Sequence, residues 1–459
     1  MSKRPRNDRR DFLKTTGLAG LGYWVAGTAS ADDSKSGGQD SSKQGPNEKI
    51  RFACIGVEGK GKSDSDDAAK HGDVVAICDI DDRSLEKASK RFPNAKKFND
   101  YRKMLDEVGA NIDAVTVSTP DHTHAVAAAA AMRMGKGCFC QKPLTHSVYE
   151  ARKLAEIARE MRVATQMGNQ GTAQNGLREG AAMLRAGAVG NVKEVHVWTN
   201  RPIWPQGGSR PKESPVPPNL HWELFLGPAP YRPYGAGYTP FAWRGWWDFG
   251  TGALGDMACH TVNLAYMGLD LRNPTSIEAQ TSGHNKDSYP KWSQIEFNFP
   301  ANDWRPALKL FWYDGGKRPS QELTAEIDKA ASEQEKGKEK KELKVKGSGC
   351  LVIGEKGQLY SPDDYGAKHV LLAGATAPKV SIVESPGHFT EFARAVQGGP
   401  KAMSNFADYS GPLTETILLG NLAVWAGKKI EWDSANLKAT NAPEVELIVH
   451  PQFREGYKL

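Results

Sequence analysis

Asp256 and His260 stand four residues apart at the end of Trp247-Asp248-Phe249-Gly250-Thr251-Gly252-Ala253-Leu254-Gly255-Asp256-Met257-Ala258-Cys259-His260. On a helix this spacing puts a carboxylate and an imidazole on one face, close enough to act on one substrate atom. An imidazole titrates near neutrality and can take the proton of a hydroxyl. The same pair would also serve as a helix cap and a satisfied core histidine, so the choice depends on what else the chain brings to it. A second cluster, Gly56-Val57-Glu58-Gly59-Lys60-Gly61, closes a short apolar run, and Asp79 closes the next one 23 residues after Gly56. Glycines let a backbone turn tightly and approach a pyrophosphate, and a helix start supplies N–H groups and a positive dipole end. A carboxylate after the second strand accepts hydrogen bonds from ribose hydroxyls. Gly56, Gly59, Gly61 and Asp79 are thus candidate contacts to a dinucleotide. NAD is expected over NADP, because the carboxylate repels a 2′-phosphate. Glu58 stands where the usual fingerprint has its second glycine.

These groups need elements to hold them. From Lys49 onward short apolar runs alternate with amphipathic stretches: Ile50 to Val57, Val74 to Ile80, Ala114 to Ser118 and Cys138 to Gln141, with helix-like segments between. Such alternation predicts a parallel sheet with helices on its faces. Ser118-Thr119-Pro120-Asp121-His122-Thr123-His124 then falls after one strand and Gln141-Lys142-Pro143 after the next. Both are at the carboxyl edge where open α/β sheets bind ligands. Thr119, Pro120, His124 and Lys142 join the candidate cofactor contacts. Asn169 and Gln170, after the sixth strand, are candidate substrate or nicotinamide contacts.

Together these pieces resemble the Gfo/Idh/MocA oxidoreductase family. The resemblance rests on the Gly-rich loop, Asp79, Thr119 to His124, Gln141-Lys142-Pro143 in place of Glu-Lys-Pro, and the segment carrying Asp256 and His260; Asn263 takes a position often acidic in relatives. It implies an α/β fold: an N-terminal Rossmann dinucleotide-binding domain over 49–172, then a C-terminal α+β domain over 173–459 built on a large, mostly antiparallel sheet. That sheet would support a homo-oligomer. It also implies Lys142, Asp256 and His260 as a catalytic trio, with His260 as general acid/base, Lys142 polarising the reacting oxygen, and Asp256 orienting the imidazole or the substrate. Strands are expected at Lys193 to Thr199, Ser276 to Ser282, Gln294 to Phe299, Ala307 to Tyr313 and Cys350 to Tyr360. A Lys/Glu-rich insertion over 317–347, a helix over 411–426 and a strap from Pro443 to Leu459 complete the expected domain.

Six of the 12 tryptophans, at 198, 204, 222, 243, 246 and 247, gather with Tyr231, Tyr234 and Tyr238 just before the Asp256 motif. Aromatic faces bury the C–H faces of pyranose rings, and Arg201, Arg244 and Asp248 can bond hydroxyls. Packing of a long loop against the core explains each aromatic singly as well. A sugar, polyol or glycoside is the expected substrate, with Arg244, Trp247, Asp248 and His260 as contacts.

The chain has 459 residues, 39% of them hydrophobic and 25% charged, which suits a two-domain globular protein. Its +6 net charge is concentrated in residues 1–31, which hold six basic and two acidic residues. The remainder gives no electrostatic reason to expect nucleic-acid or membrane binding. Asp8-Arg9-Arg10-Asp11-Phe12-Leu13-Lys14, a weak apolar run and Ala29-Ser30-Ala31 form the pattern of a twin-arginine signal peptide, with 32–48 as linker. No cysteine marks a lipid anchor, and the six cysteines lie mostly in apolar runs, as buried small hydrophobes. A periplasmic or secreted address is expected. Free NAD is scarce there, so tightly retained NAD(H), loaded before export, is expected in a redox-balanced cycle. Two alternatives stay open: an NAD-dependent glycoside hydrolase working by transient sugar oxidation, and a non-catalytic secreted sugar-binding protein.

Overall fold

The computed structural model describes residues 49–336 and 343–459. The expected signal peptide over 1–31, the expected linker over 32–48 and residues 337–342 of the charged insertion lie outside the described residues.

Among the described residues, six strands form a parallel sheet in the order β3-β2-β1-β4-β5-β6: β1 Ile50–Ile55, β2 Gly72–Cys78, β3 Lys96–Phe98, β4 Ala114–Val117, β5 Gly137–Cys140 and β6 Thr165–Met167. β1, β4 and β5 are apolar almost throughout, as strands covered on both faces must be. The Ala-rich helix Asp121–Arg133 suits this arrangement, because short side chains let it lie close against the sheet, and it is buried nearly all round. Ser147 and Glu150 form a reciprocal capping box that starts helix Val148–Met161 and fixes how the chain leaves the Lys142 turn.

The other sheet has nine strands in the order β13-β12-β11-β7-β10-β9-β8-β14-β15, antiparallel except where β7 (Val192–Trp198) meets β10 (Leu308–Tyr313). Its remaining members are β8 Ser276–Thr281, β9 Ser293–Phe299, β11 Gly349–Gly354, β12 Gln358–Ser361, β13 Val370–Leu372, β14 Ile430–Asp433 and β15 Lys438–Ala439. The single strand expected over Cys350 to Tyr360 is instead the hairpin β11–β12, with Cys350 paired to Ser361. Helix Gly411–Ala426 lies on β8 and β9 and presses helix Gly252–Thr261 into the interior, where all ten residues of the latter are buried. The Lys/Glu-rich insertion is anchored by Ile327, which is fully buried with Trp198, Leu351 and Tyr360. All six cysteines are free and buried.

Candidate active site

The carboxyl ends of β1, β2, β4, β5 and β6 open on one side into a cleft of about 580 Å³, whose opposite wall includes Asp256, Met257 and His260. At its dinucleotide end, Gly59 begins helix Lys60–His71 with φ +58°, and a Cβ placed there would meet nothing within 4 Å. The loop therefore presents a bare backbone and a helix N-terminus to open space, as a pyrophosphate requires. Gly61 packs beneath the loop, where a Cβ would come 2.1 Å from the Gly56 carbonyl oxygen. Glu58 is drawn to Lys87 (3.3 Å) on the neighbouring helix Asp82–Arg91, which balances its charge beside the cradle. Asp79 accepts the N–H groups of Val57 and Asp81, both at 3.0 Å. Burial outweighs those two bonds and pushes its carboxyl up to about 6, still ionised at neutral pH and able to accept ribose hydroxyls. The cradle and Asp79 together fit NAD.

Lys142, Asp256 and His260 meet at the other end. Lys142 Nζ donates to Asp256 Oδ1 at 2.6 Å and to the Asp256 carbonyl at 3.0 Å. An ammonium has three donors, so one is left for a substrate oxygen. Arg244 Nε lies 3.2 Å from the same Oδ1, and its Nη1 reaches fully buried Asp121 at 2.9 and 3.1 Å. Burial alone would raise the Asp256 carboxyl, but Lys142 and Arg244 overcome it and hold the group well below the usual range. The carboxylate thus orients Lys142 and Arg244; it makes no hydrogen bond to the imidazole. His260 is 3% exposed, stands edge-on to Tyr365 with ring centroids 5.0 Å apart, and leaves Nδ1 without a partner. Burial first, and then the nearby Lys142 ammonium, push it well below 6.5, so the imidazole is neutral. A neutral imidazole keeps one nitrogen lone pair able to accept a proton, and burial makes it a weaker base than a free imidazole.

Not every expected contact reaches the cleft. Gly56, Gly59, Asp79, Thr119, Pro120, Lys142, Gln170, Arg244, Asp256 and His260 line it; Gly61, His124, Asn169, Trp247 and Asp248 do not. His124 is held between the carbonyls of Thr119 and Pro143, both at 2.8 Å, and so fixes two cleft loops from behind. Asn169 is fully buried, with Oδ1 accepting from Ser404 at 2.5 Å. Trp247 stacks on Tyr289 with centroids 3.8 Å apart, and Asp248 pairs with buried Arg232. Trp198, Trp222 and Trp246 are also interior packing, whereas Trp204 and Trp243 face the cleft beneath the Arg244 guanidinium. Tyr365 lines the cleft from a loop that no motif announced, and Lys60, within the Gly-rich loop, lines it as well without having been among the expected contacts.

That position 141 is an amide has a local cause. Gln141 Nε2 donates to Asp64 Oδ2 at 2.8 Å, and Asp64, 1% exposed, also accepts from Ser118 (2.7 Å) and Lys60 (2.8 Å). A glutamate would set two carboxylates against each other in a buried site. Gln141→Glu is expected to lower unfolding stability by about 2–4 kcal/mol, and adding Asp64→Asn should recover most of it. Denaturant unfolding of the two variants checks this; equal losses in both would show that the carboxylates do not oppose each other.

Residues 50–169 match the family described as "Oxidoreductase family, NAD-binding Rossmann fold", and residues 189–303 match its "C-terminal alpha/beta domain". Among curated proteins, a levoglucosan dehydrogenase of Pseudarthrobacter phenanthrenivorans is 22% identical over 190 residues, 41% of this chain and 40% of that protein. A glycosyl hydrolase family 109 protein of Solibacter usitatus is 32% identical over 164 residues, 33% and 36% of the two chains. The chain therefore spans less than half the length of these relatives. Among solved structures, the WlbA dehydrogenase from Bordetella pertussis, in complex with NADH and UDP-GlcNAcA, superposes with a TM-score of 0.59. It covers 84% of this chain and 99% of that one at 17% identity, which is a likeness of fold.

Proposed function

The chain belongs to the Gfo/Idh/MocA oxidoreductase family, and from that premise we propose that it exchanges hydride between NAD and a carbinol carbon of a sugar, polyol or sugar derivative. The observation that carries this is the convergence of Lys142, Asp256 and neutral His260 at one end of a cleft whose other end is a dinucleotide cradle. NAD, when bound, supplies the hydride acceptor. His260 takes the hydroxyl proton as the oxygen becomes a carbonyl. The remaining donor of Lys142 holds that oxygen and stabilises the charge that develops on it. Asp256 keeps the ammonium aimed.

We further propose that NAD(H) is retained between turnovers. Two remote segments support this by crossing the adenosine end of the cleft. In one, His221 N–H bonds the Ile80 carbonyl, Asp82 N–H bonds the Asn219 carbonyl, and Asn219 Nδ2 reaches Asp81, each at 2.9 Å; Leu220, Leu224 and Phe225 then line the cleft. In the other, the C-terminal strap, Arg454 reaches Glu223 at 2.8 Å, and Tyr457 lines the cleft under the Arg102 guanidinium. Purified protein, once denatured, should release about one NAD(H) per chain, identified by mass. The Asn219→Ala/Arg454→Ala double variant removes the Asn219 bond to Asp81 and the three that the Arg454 guanidinium makes to Gly227 and Glu223, and should exchange nucleotide at least about tenfold faster, since each such bond contributes roughly 0.5–1.5 kcal/mol. Protein free of nucleotide, with fast exchange in both forms, would end the retention proposal.

Export by the twin-arginine route and an oligomer through the nine-stranded sheet are proposed with this function. The match to a glycosyl hydrolase family 109 protein favours a second reading, in which transient oxidation labilises a glycosidic bond and the hydride is then returned. The non-catalytic reading loses its motive, because Glu58 and Gln141, the two departures behind it, each have a compensating partner in Lys87 and Asp64.

A further inference from the structure

Resting on the sugar-oxidoreductase reading above, we propose that the substrate carries a carboxylate and that Arg201 selects it. The ionisable side chains at the reacting end of the cleft are Lys142, Arg201, Arg244, Asp256, His260 and the phenol of Tyr365, and Lys60, which lines the cleft nearby, is balanced by buried Asp64 at 2.8 Å. Behind them, Asp121 is fully buried against Arg244. His260 is neutral, so three cations face two carboxylates and one positive charge is left over.

The geometry says where that charge resides. Asp256 Oδ1 is engaged by Lys142 at 2.6 Å and by Arg244 Nε at 3.2 Å. Oδ2 faces Arg201 Nε only at 3.9 Å, beyond hydrogen-bond distance. Among the described residues, the Arg201 guanidinium makes one hydrogen bond, to the neutral amide oxygen of Asn200. Its side chain is 24% exposed and lines the cleft on the loop after β7. A largely desolvated guanidinium with donors to spare is matched best by a carboxylate, which can take its planar fork bidentately and supply the missing charge. Hydroxyls of a neutral sugar would satisfy its N–H groups and leave the charge uncompensated. Ile203, Trp204, Phe241 and Trp243 provide apolar surface beside it for the body of a sugar ring. A sugar acid, such as a hexuronate, combines these features.

The test is a calorimetric titration of the full chain, loaded with NAD, using D-glucuronate, D-galacturonate and D-mannuronate, each against its parent aldose. At least one uronate should bind ten times or more tighter than its aldose. Arg201→Gln should weaken that uronate about 10- to 100-fold and its aldose by only about 2- to 3-fold, since Gln still offers an N–H to a hydroxyl, while leaving the affinity for NAD unchanged; Arg201→Lys, which keeps the charge and loses the fork, should fall between. The proposal is overturned if no uronate binds, if aldoses bind as tightly as their uronates, or if Arg201→Gln keeps the preference. A chain that binds no NAD but still prefers uronates through Arg201 would sink the oxidoreductase reading and leave the carboxylate selection standing.

Discussion

The His260→Ala variant is expected to lose about 10³-fold in turnover while binding NAD as the parent does. The imidazole is 3% exposed, neutral, and unpartnered at Nδ1, so it stabilises its neighbours mainly by packing beside Tyr365. Its removal leaves the Gly-rich loop, Asp79 and the Lys142–Asp256 contact intact, and the cofactor end of the cleft should be unchanged. Because burial and Lys142 hold the group well below 6.5, the imidazole stays deprotonated down through that pH. Its proton-accepting form is therefore present at neutral pH, and the acid limb of the parent's kcat/KM profile should lie below pH 6.5. Wild-type-like turnover in the variant would remove His260 from the chemistry. A loss that tracked loss of NAD would make it a structural residue.

Lys142→Met is expected to be comparably severe, at about 10²- to 10³-fold in kcat/KM, with a second signature that a packing role would not produce. The substitution removes both bonds from Nζ to Asp256 but does not orphan that carboxylate, since Arg244 stays 3.2 Å from Oδ1; the variant should fold. After burial, the Lys142 ammonium is the largest cause holding His260 down. A neutral side chain lifts that repulsion, so the folded-state pKa of His260 rises and the acid limb moves to higher pH. Lys142→Arg, which retains the charge, should leave the limb near its original place and recover part of the rate. A rate loss with an unmoved limb in Lys142→Met would confine the lysine to substrate contact.

What the sequence disclosed about the site was local. Gly56 to Gly61, Asp79, Thr119 and Lys142 are placed by strand ends, and a strand end is written in a few consecutive residues. Asp256 and His260 needed only helical spacing. The misplaced residues were decided by partners far along the chain: Asn169 by Ser404, Trp247 by Tyr289, and Asp248 by Arg232. Nothing adjacent to Trp247 distinguishes a sugar platform from a core side chain, and its place in the aromatic cluster just before the Asp256 motif makes it look functional. The same holds in reverse for Tyr365, which reaches His260 from a loop more than 100 residues later. The hairpin at Cys350 to Tyr360 reads as one strand because both arms are apolar, although Gly354 and Gly357, whose backbones bond each other at 2.9 Å, bracket the turn and are a signal that could have found it. Gln141 is the most instructive case. Alone it weakens the resemblance, yet with Asp64 in view its amide is the donor that a buried carboxylate requires.

The central claim, that a nicotinamide retained in this cleft is reduced by a sugar or polyol through His260, is tested most directly by absorbance at 340 nm. Purified full-length protein, set fully to NAD⁺, would be mixed with a panel of neutral and acidic sugars and polyols and followed for a single turnover. An absorbance rise equivalent to about one NADH per chain, present in the parent and absent in His260→Ala, is the result predicted. No rise with any compound, despite bound NAD⁺, or an equal rise in both proteins, would contradict it.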